Sequence, residues 1–192
     1  MKQQTFIDKE QDKPFFVIHK HDATRLHYDF RLQVGNVMPS WAIPKGPTLD
    51  STLKRLAMET TDHALEYRKF EGILPEGGYG AGPVMIWDEG TYFPEIEIAK
   101  GEREVIEDMK KGTKVMRNGI KKGEIKFKLF GKKLNGSFAL VKTKGFGGKN
   151  AWLLIKHKDE FCVEGFDASK YIYSALSNLS IEQIGEKYTT SS

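Results

Sequence analysis

Six consecutive residues, His27-Tyr28-Asp29-Phe30-Arg31-Leu32, constrain this chain more than any other feature. Polar and apolar side chains alternate through all six, the period of a β-strand, whose successive side chains point to opposite faces. Tyr28, Phe30 and Leu32 then form a core-facing row, and His27, Asp29 and Arg31 line the solvent side. Strands are ordinarily poor in charge. An imidazole, a carboxylate and a guanidinium in one row are the groups that a metal site or a phosphate site requires. The pattern predicts a strand that is also the floor of an active site.

The remaining chain reads mostly as strand. Residues 15–21 and 25–34 are β-rich around the polar turn Asp22-Ala23-Thr24, and Gly35-Asn36 is a two-residue hairpin signal leading into 37–43. Further strands are predicted at 54–61, at 84–88 and 91–94 (a hairpin across Glu89-Gly90), at 124–130, at 137–142 after an Asn135-Gly136 turn, and at 151–158. Helices are predicted over 102–111, bracketed by Gly101 and Gly112, and after Ser180, where Ser180 and Gln183 have capping-box spacing. Many short strands with tight turns imply a mostly-β fold, a compact β-barrel with flanking short helices that hides its sheet edges. A single domain over 1–192 is expected, with 1–14 as an N-terminal arm and 189–192 as a loose tail.

At 192 residues and 39% hydrophobic content the chain can bury a sizeable core. It has no apolar run long enough to cross a membrane as a helix and no apolar signal segment, so a cytoplasmic location and no membrane partner are expected. The single cysteine, Cys162, excludes an internal disulfide and a cysteine-based zinc cage, and its neighbours Phe161 and Val163 suggest a core filler. The net charge of +4 is unevenly spread: residues 100–158 hold 17 Lys and Arg against 5 Asp and Glu. A basic segment of this kind favours a polyanion, of which nucleic acid is the commonest.

Of the five histidines, His19, His21 and His27 lie close together in sequence and His63 follows Asp62 on a later segment. Two imidazoles and a carboxylate with an open position suit a divalent manganese, iron or zinc ion. Arg31 and Arg55 offer the fork geometry that holds phosphate oxygens. The loop Gly77-Gly78-Tyr79-Gly80-Ala81-Gly82 lacks the Gly-Lys-Ser/Thr ending of a phosphate-binding P-loop and reads as a tight turn needing positive φ. Lys45, stiffly presented between Pro44 and Pro47, is a candidate substrate-binding cation. No Ser-His-Asp or Cys-His arrangement is legible.

The run His21-Asp22-Ala23-Thr24-Arg25-Leu26-His27-Tyr28-Asp29-Phe30-Arg31-Leu32 resembles the signature of the phosphoesterase module of bacterial DNA ligase D. So do Ser40-Trp41-Ala42-Ile43-Pro44-Lys45-Gly46-Pro47, Lys54-Arg55-Leu56-Ala57, Asp62-His63 and the stretch from Phe70 to Gly82, all in the same order. A weaker echo lies at 151–156, and 100–149 matches poorly. The resemblance implies a compact barrel and a manganese-dependent enzyme that removes a 3′-terminal ribonucleotide and then the remaining 3′-phosphate. It implies metal ligands at His21, Asp29 and His63 and phosphate contacts at His27, Arg31, Arg55 and Tyr67. His19 and Gln33 depart from the pattern. Neither a polymerase nor a ligase segment accompanies the module, so a stand-alone version working with a separate DNA ligase on DNA or RNA–DNA 3′ ends is expected.

Two other readings use parts of the same sequence. A non-enzymatic nucleic-acid-binding barrel explains the basic segment but not the His-x-Asp-x-Arg row. A small-molecule phosphatase explains the row but not the basic segment.

Overall fold

The computed structural model describes residues 13–77 and 80–189, so most of the predicted N-terminal arm and of the predicted tail lie outside the described residues. The elements in order are β1 (Phe15–Asp22), β2 (Leu26–Leu32), β3 (Val37–Met38), β4 (Ser40–Ile43), β5 (Lys54–Glu59), β6 (His63–Ala64), β7 (Gly72–Leu74), β8 (Gly82–Ala99), β9 (Glu102–Val105), α1 (Met109–Lys122), β10 (Glu124–Gly131), β11 (Asn135–Lys142), β12 (Ala151–Lys156) and α2 (Ile181–Thr189). Eight antiparallel strands follow one another as β1-β2-β4-β5-β12-β11-β10-β8, and β8 returns to pair with β1. This is the closed barrel that the short-strand pattern predicts. β3 pairs with β6 outside it, and β7 and β9 add to β8. Among the described residues no helix is long and apolar enough to cross a membrane.

The barrel closes because each strand contributes one apolar row to a shared interior. Phe16 and Ile18, Tyr28 with Phe30 and Leu32, Trp41 and Ile43, Met85 and Trp87, Phe127 and Leu129, Phe138 and Leu140, and Trp152 and Leu154 are all buried in one cluster. Phe30 stacks on Phe127, which stacks on Phe138. Each such side chain contributes roughly 1.5–3 kcal/mol by leaving water. A smaller cluster of Val17, Met38 and Ile86 lies apart from it, with Leu65 and Tyr67 packed against it.

Several predicted elements shift for identifiable reasons. The expected hairpin across Glu89-Gly90 is instead one continuous 18-residue strand, β8. Gly90 pairs with Phe16 on one side and Gly131 on the other, and an added Cβ would lie 2.0 Å from the Phe130 carbonyl oxygen. The glycine there serves close backbone approach and not a turn. The expected helix at 102–111 begins as β9 instead, and α1 runs from Met109 behind an Asp108 cap whose side chain accepts from the Lys111 N–H at 2.7 Å. Gly112 does not end the helix; it sits inside it, where a Cβ would approach Pro94 Cγ to 3.1 Å. The predicted strand 37–43 splits around Pro39, and Asn135-Gly136 lies within β11. The helix after Ser180 forms as expected, with the Ser180 N–H donating to Gln183 Oε1 and the Gln183 N–H donating to Ser180 Oγ. Cys162 is half-buried in the turn after β12, where its sulfur accepts from the Asp159 N–H at 3.4 Å, so it is a turn element and not a core filler.

Asp88 fixes the connection from β10 to β11. Its buried carboxylate accepts backbone N–H groups of Lys132, Lys133 and Leu134 at 2.9, 3.0 and 2.8 Å. Asp88→Ala leaves three donors without an acceptor. It should lower unfolding stability by at least about 2 kcal/mol, read as a shift in urea midpoint with m unchanged. A midpoint within error of the parent protein would show that the turn needs no such anchor.

Candidate metal and phosphate site

The β1–β2 hairpin sets the geometry. Its register places His21 opposite His27, His19 opposite Asp29 and Val17 opposite Arg31. The alternating row on β2 is therefore met by a second row on β1. This face is not open to solvent as expected: Asp29 is 9% exposed, Arg31 3% and His19 fully buried. The segment from β6 through the 3-10 turn Leu65–Lys69 brings His63 and Tyr67 against it.

Asp29 divides the site into two flanks. On one, Oδ1 faces His27 Nε2 at 3.5 Å, and the His21 and His27 ring centroids are 4.9 Å apart. Single donor atoms of His21, His27 and Asp29 all lie within 4.8 Å of one another, the one such group of three among the described residues. Donors bound to one ion at about 2.0–2.2 Å sit at most about 4.4 Å apart, so small side-chain adjustments would enclose a cation. Two further observations fit one. His21 Nε2 is buried with no hydrogen-bond partner. His27 Nδ1 lies 2.9 Å from the Arg25 carbonyl, and donation there leaves Nε2 bare, the orientation usual for a ligating imidazole. Burial and then the neighbouring His27 hold the His21 ring below its ordinary pKa, while the hydrogen bond to Asp29 raises that of His27. Burial alone would raise Asp29, but His27 and Arg31 outweigh it and the carboxyl titrates low.

The other flank is organised by Arg31. Its Nη2 donates to Asp29 Oδ2 at 3.0 Å, its Nε to His19 Nδ1 at 3.1 Å, and its Nη1 lies 3.0 Å from His63 Nδ1. Three of the five guanidinium donors are used, which leaves two N–H groups for a ligand. The guanidinium carbon sits 5.1 Å from the centroid of the Tyr67 ring, which stacks on Phe70. Burial raises the Tyr67 pKa, so the phenol stays protonated and able to donate. His63 Nδ1 is also 2.9 Å from the Thr61 carbonyl. Arg31 requires a lone pair on that nitrogen and Thr61 requires a proton, so the ring stands between two hydrogen-bonding states. All of these contacts run through Nδ1.

The structure thus joins His21, His27, Asp29, Arg31, His63 and Tyr67, but distributes them differently from the expectation. His63, expected as a metal ligand, lies on the arginine flank, and His27, expected as a phosphate contact, completes the three-donor cluster. Arg55 is not brought to either flank. Asp29 pairs with Ala42 and Ala42 with Met58, so Met58 shares the Asp29 face and Arg55, three residues earlier, points the opposite way. Its charge acts instead on Asp50 and Asp167. Lys45 is exposed in the turn after β4, beyond the Tyr28–Ile43 pair and so toward the His27 end of the site. Gln33 is structural, donating to the Gly35 carbonyl and accepting from the Phe15 N–H. In the glycine-rich loop Gly77 and Gly80 have positive φ as expected, and a Cβ on Gly82 would meet the Asp22 carbonyl at 2.1 Å. Gly78 and Tyr79 lie outside the described residues.

His19 belongs to the site although the sequence pattern gives it no role. It is neither idle nor free to bind a cation through Nδ1, because it anchors Arg31. A signal existed: a tight turn over residues 22–26 pairs 21 with 27 and therefore 19 with 29.

The chain is similar to known proteins over most of its length. A family model described as the DNA ligase D 3′-phosphoesterase domain matches residues 19–142. The chain is 43% identical over 144 residues to the multifunctional non-homologous end joining protein LigD of Pseudomonas aeruginosa, covering 75% of this chain and 15% of that protein. It is 38% identical over 145 residues to the LigD DNA repair protein of Mycobacterium tuberculosis (76% and 16%) and 40% identical over 154 residues to LigD of Mycolicibacterium smegmatis (80% and 18%). The chain spans less than a fifth of the length of these relatives.

His19 gives the site a measurable acid sensitivity. Burial, and then Arg31, lower its pKa from 6.5 to about 3 in the folded chain. The unfolded chain takes up a proton near 6.5 that the folded chain refuses, so the contribution is present above that pH and is lost as pH falls toward 3. Relative to His19→Gln, the parent protein should lose an extra ~2–3 kcal/mol between about pH 7 and pH 4.5 in urea titrations. Equal acid losses in the two proteins would reject this assignment.

Proposed function

This chain belongs to the DNA ligase D 3′-phosphoesterase domain family, and from that premise we propose that it is a manganese-dependent enzyme that trims 3′ ends of DNA or RNA–DNA primers. It would remove a terminal 3′-ribonucleotide and then the remaining 3′-phosphate, leaving a 3′-hydroxyl on which a separate DNA ligase could act. A phosphoesterase role in end processing follows from the family itself. The observation that carries the finer reading is the adjacency of two features across one carboxylate: a three-donor cluster on Asp29 Oδ1 and a buried, partly unspent guanidinium on Oδ2.

His21, His27 and Asp29 would hold the cation; two imidazoles and one carboxylate suit manganese, with iron or zinc as alternatives. When bound, such an ion polarises a phosphoryl oxygen and lowers the pKa of a water molecule. The two uncommitted N–H groups of Arg31 would grip the phosphate as a fork and neutralise charge that builds on its oxygens during bond cleavage. His19 and Asp29 keep that fork from rotating. The Tyr67 hydroxyl donates to another oxygen, and His63 Nε2, the ring nitrogen turned away from Arg31, meets the substrate from the same flank. Burial and then Arg31 keep His63 below its ordinary pKa, so near neutrality it approaches as a neutral imidazole. Lys45, at the His27 end, is the cation we assign to the nucleic acid on that side.

The assignment separates into two measurements. In calorimetric titrations with Mn²⁺, His27→Ala and Asp29→Ala should lose binding while His63→Ala retains it. With Mn²⁺ on a 5′-labelled primer ending in one ribonucleotide or a 3′-phosphate, all three should be slower by on the order of 10²-fold or more. Chelator-insensitive trimming, or metal binding lost in His63→Ala and kept in His27→Ala, would sink the reading.

A further inference from the structure

α1 carries charge in a way that folding does not explain. Between Met109 and Lys122 it has six cations, Lys110, Lys111, Lys114, Arg117, Lys121 and Lys122, all exposed, and no acidic residue. Among the described residues none of the six forms an ion pair. Two of them, Lys110 and Lys111, occupy the first turn, where the helix dipole disfavours positive charge. At about 100° per residue, Lys110, Lys114, Arg117 and Lys121 fall within roughly 60° of arc, a single row about 16 Å long. Like charges three and four residues apart on a helix destabilise it by a few tenths of a kcal/mol per pair. A row kept at that cost points to a function outside the fold.

The row is connected to the active-site strand. The chain runs on from β2 through Gln33 to the turn residue Gly35, where an added Cβ would lie 2.5 Å from Arg117 Nη2 and 3.6 Å from Thr113 Cγ2. Gln33 and Gly35 line a small cavity together with Met109, Gly112 and Thr113. Gly35 is four residues beyond Arg31, about 13 Å in extended chain. A nucleic acid held at Arg31 thus has α1 within reach of a few nucleotides. Single strands are gripped through aromatic platforms on which bases stack, and α1 contains no aromatic residue. Phosphates of one duplex strand follow one another at about 3.4 Å along the axis, so a straight row about 16 Å long can follow a short run of them before the strand winds away.

We propose that α1 is the duplex-docking element of this molecule, its Lys110-Lys114-Arg117-Lys121 row tracking the backbone of double-stranded nucleic acid upstream of the terminus held at Arg31. This deepens the functional reading above and rests on it for the position of the terminus. The test compares the triple variant Lys110→Gln, Lys114→Gln, Lys121→Gln with an equal charge change elsewhere, Lys144→Gln, Lys149→Gln, Lys158→Gln. Arg117 is kept because it packs on Gly35. Binding of a duplex with plain 3′-hydroxyl ends, followed by fluorescence anisotropy from about 50 to 200 mM salt, gives the slope of log K against log salt. The α1 triple should lower that slope by about 2–3 and the control triple by less than about 1. The α1 triple should melt no lower than the parent protein, hydrolyse a nucleoside 3′-monophosphate at an unchanged rate, and lose less affinity for a single strand than for the duplex. Equal slope losses in the two triples, or equal affinity losses on single and double strands, would overturn the proposal. The binding duplex carries no scissile group, so an absence of phosphatase activity in the parent protein would reject the enzymatic reading alone.

Discussion

The ion pair between Asp29 and Arg31, 3.0 Å long and almost wholly removed from water, is the constraint on which the site depends. Burying two charges costs several kcal/mol per ion, and their attraction offsets this only when the remaining donors and acceptors are satisfied. The surroundings do part of that work: His19 and His63 stand against two more guanidinium nitrogens, His27 approaches the second carboxylate oxygen, and two guanidinium N–H groups are left over. An apolar pair of similar volume would often stabilise a fold more, so the network is better understood as organisation of a site than as a source of stability. It also explains why the cation is arginine. Three partners in three directions need a planar set of fixed donors, which an ammonium group on a flexible stem does not offer.

The barrel supplies the rigidity that such a pair requires. β1 is bonded on both sides, to β2 and to β8, and the β1–β8 register slips between Ile18 and His19. The slip occurs next to the residue that anchors Arg31, in keeping with the role of bulges in aiming side chains. Outside the barrel wall, Val17, Met38 and Ile86 form a small apolar base under Tyr67. The phenol facing the guanidinium is thus held by packing on one side and by Phe70 on the other. The side chains of the site, drawn from β1, β2, β6 and the turn after it, keep their relative positions because none of those segments can move without opening the closed sheet or this second cluster.

Period-2 alternation made β1, β2 and the inward rows legible, because a barrel strand has one wet face and one dry face and the sequence must follow. What alternation cannot carry is which strands become neighbours. Glu89-Gly90 and Asn135-Gly136 have turn composition, yet Gly90 lies inside a strand that is crowded by the Phe130 carbonyl, a contact between residues 40 apart. Gly112 looked like a helix end for the same reason; its small size serves Pro94 and not the local chain. In the site, residue types were readable and their partners were not. The family resemblance gathered His21, His27, Asp29, Arg31, His63 and Tyr67, but the division between the two flanks depends on ring-nitrogen directions fixed by the Arg25 and Thr61 carbonyls. Arg55 is set apart for a simpler reason, since parity along β5 turns it to the other face of the sheet.

Charge is handled by two different rules in this molecule. Away from the site, buried ionic groups are well partnered: Lys156 gives its three protons to Asp159, the His157 carbonyl and the Ser137 carbonyl, and Glu95 is held by Arg103 and Ser137. Elsewhere on the surface some lysines are paired too, as Lys126 is with Glu97 and Glu124. The same chain that places these partners supplies none along fourteen residues of α1. Local rules of helix design are broken there while they are obeyed nearby, at the Asp108 cap and at Gly123, whose φ of 86° closes the helix. A sequence that caps a helix correctly at both ends and then loads it with cations that form no ion pair among the described residues has its conflict on the outer face alone. Violations confined in this way mark surfaces whose partner is not part of the fold.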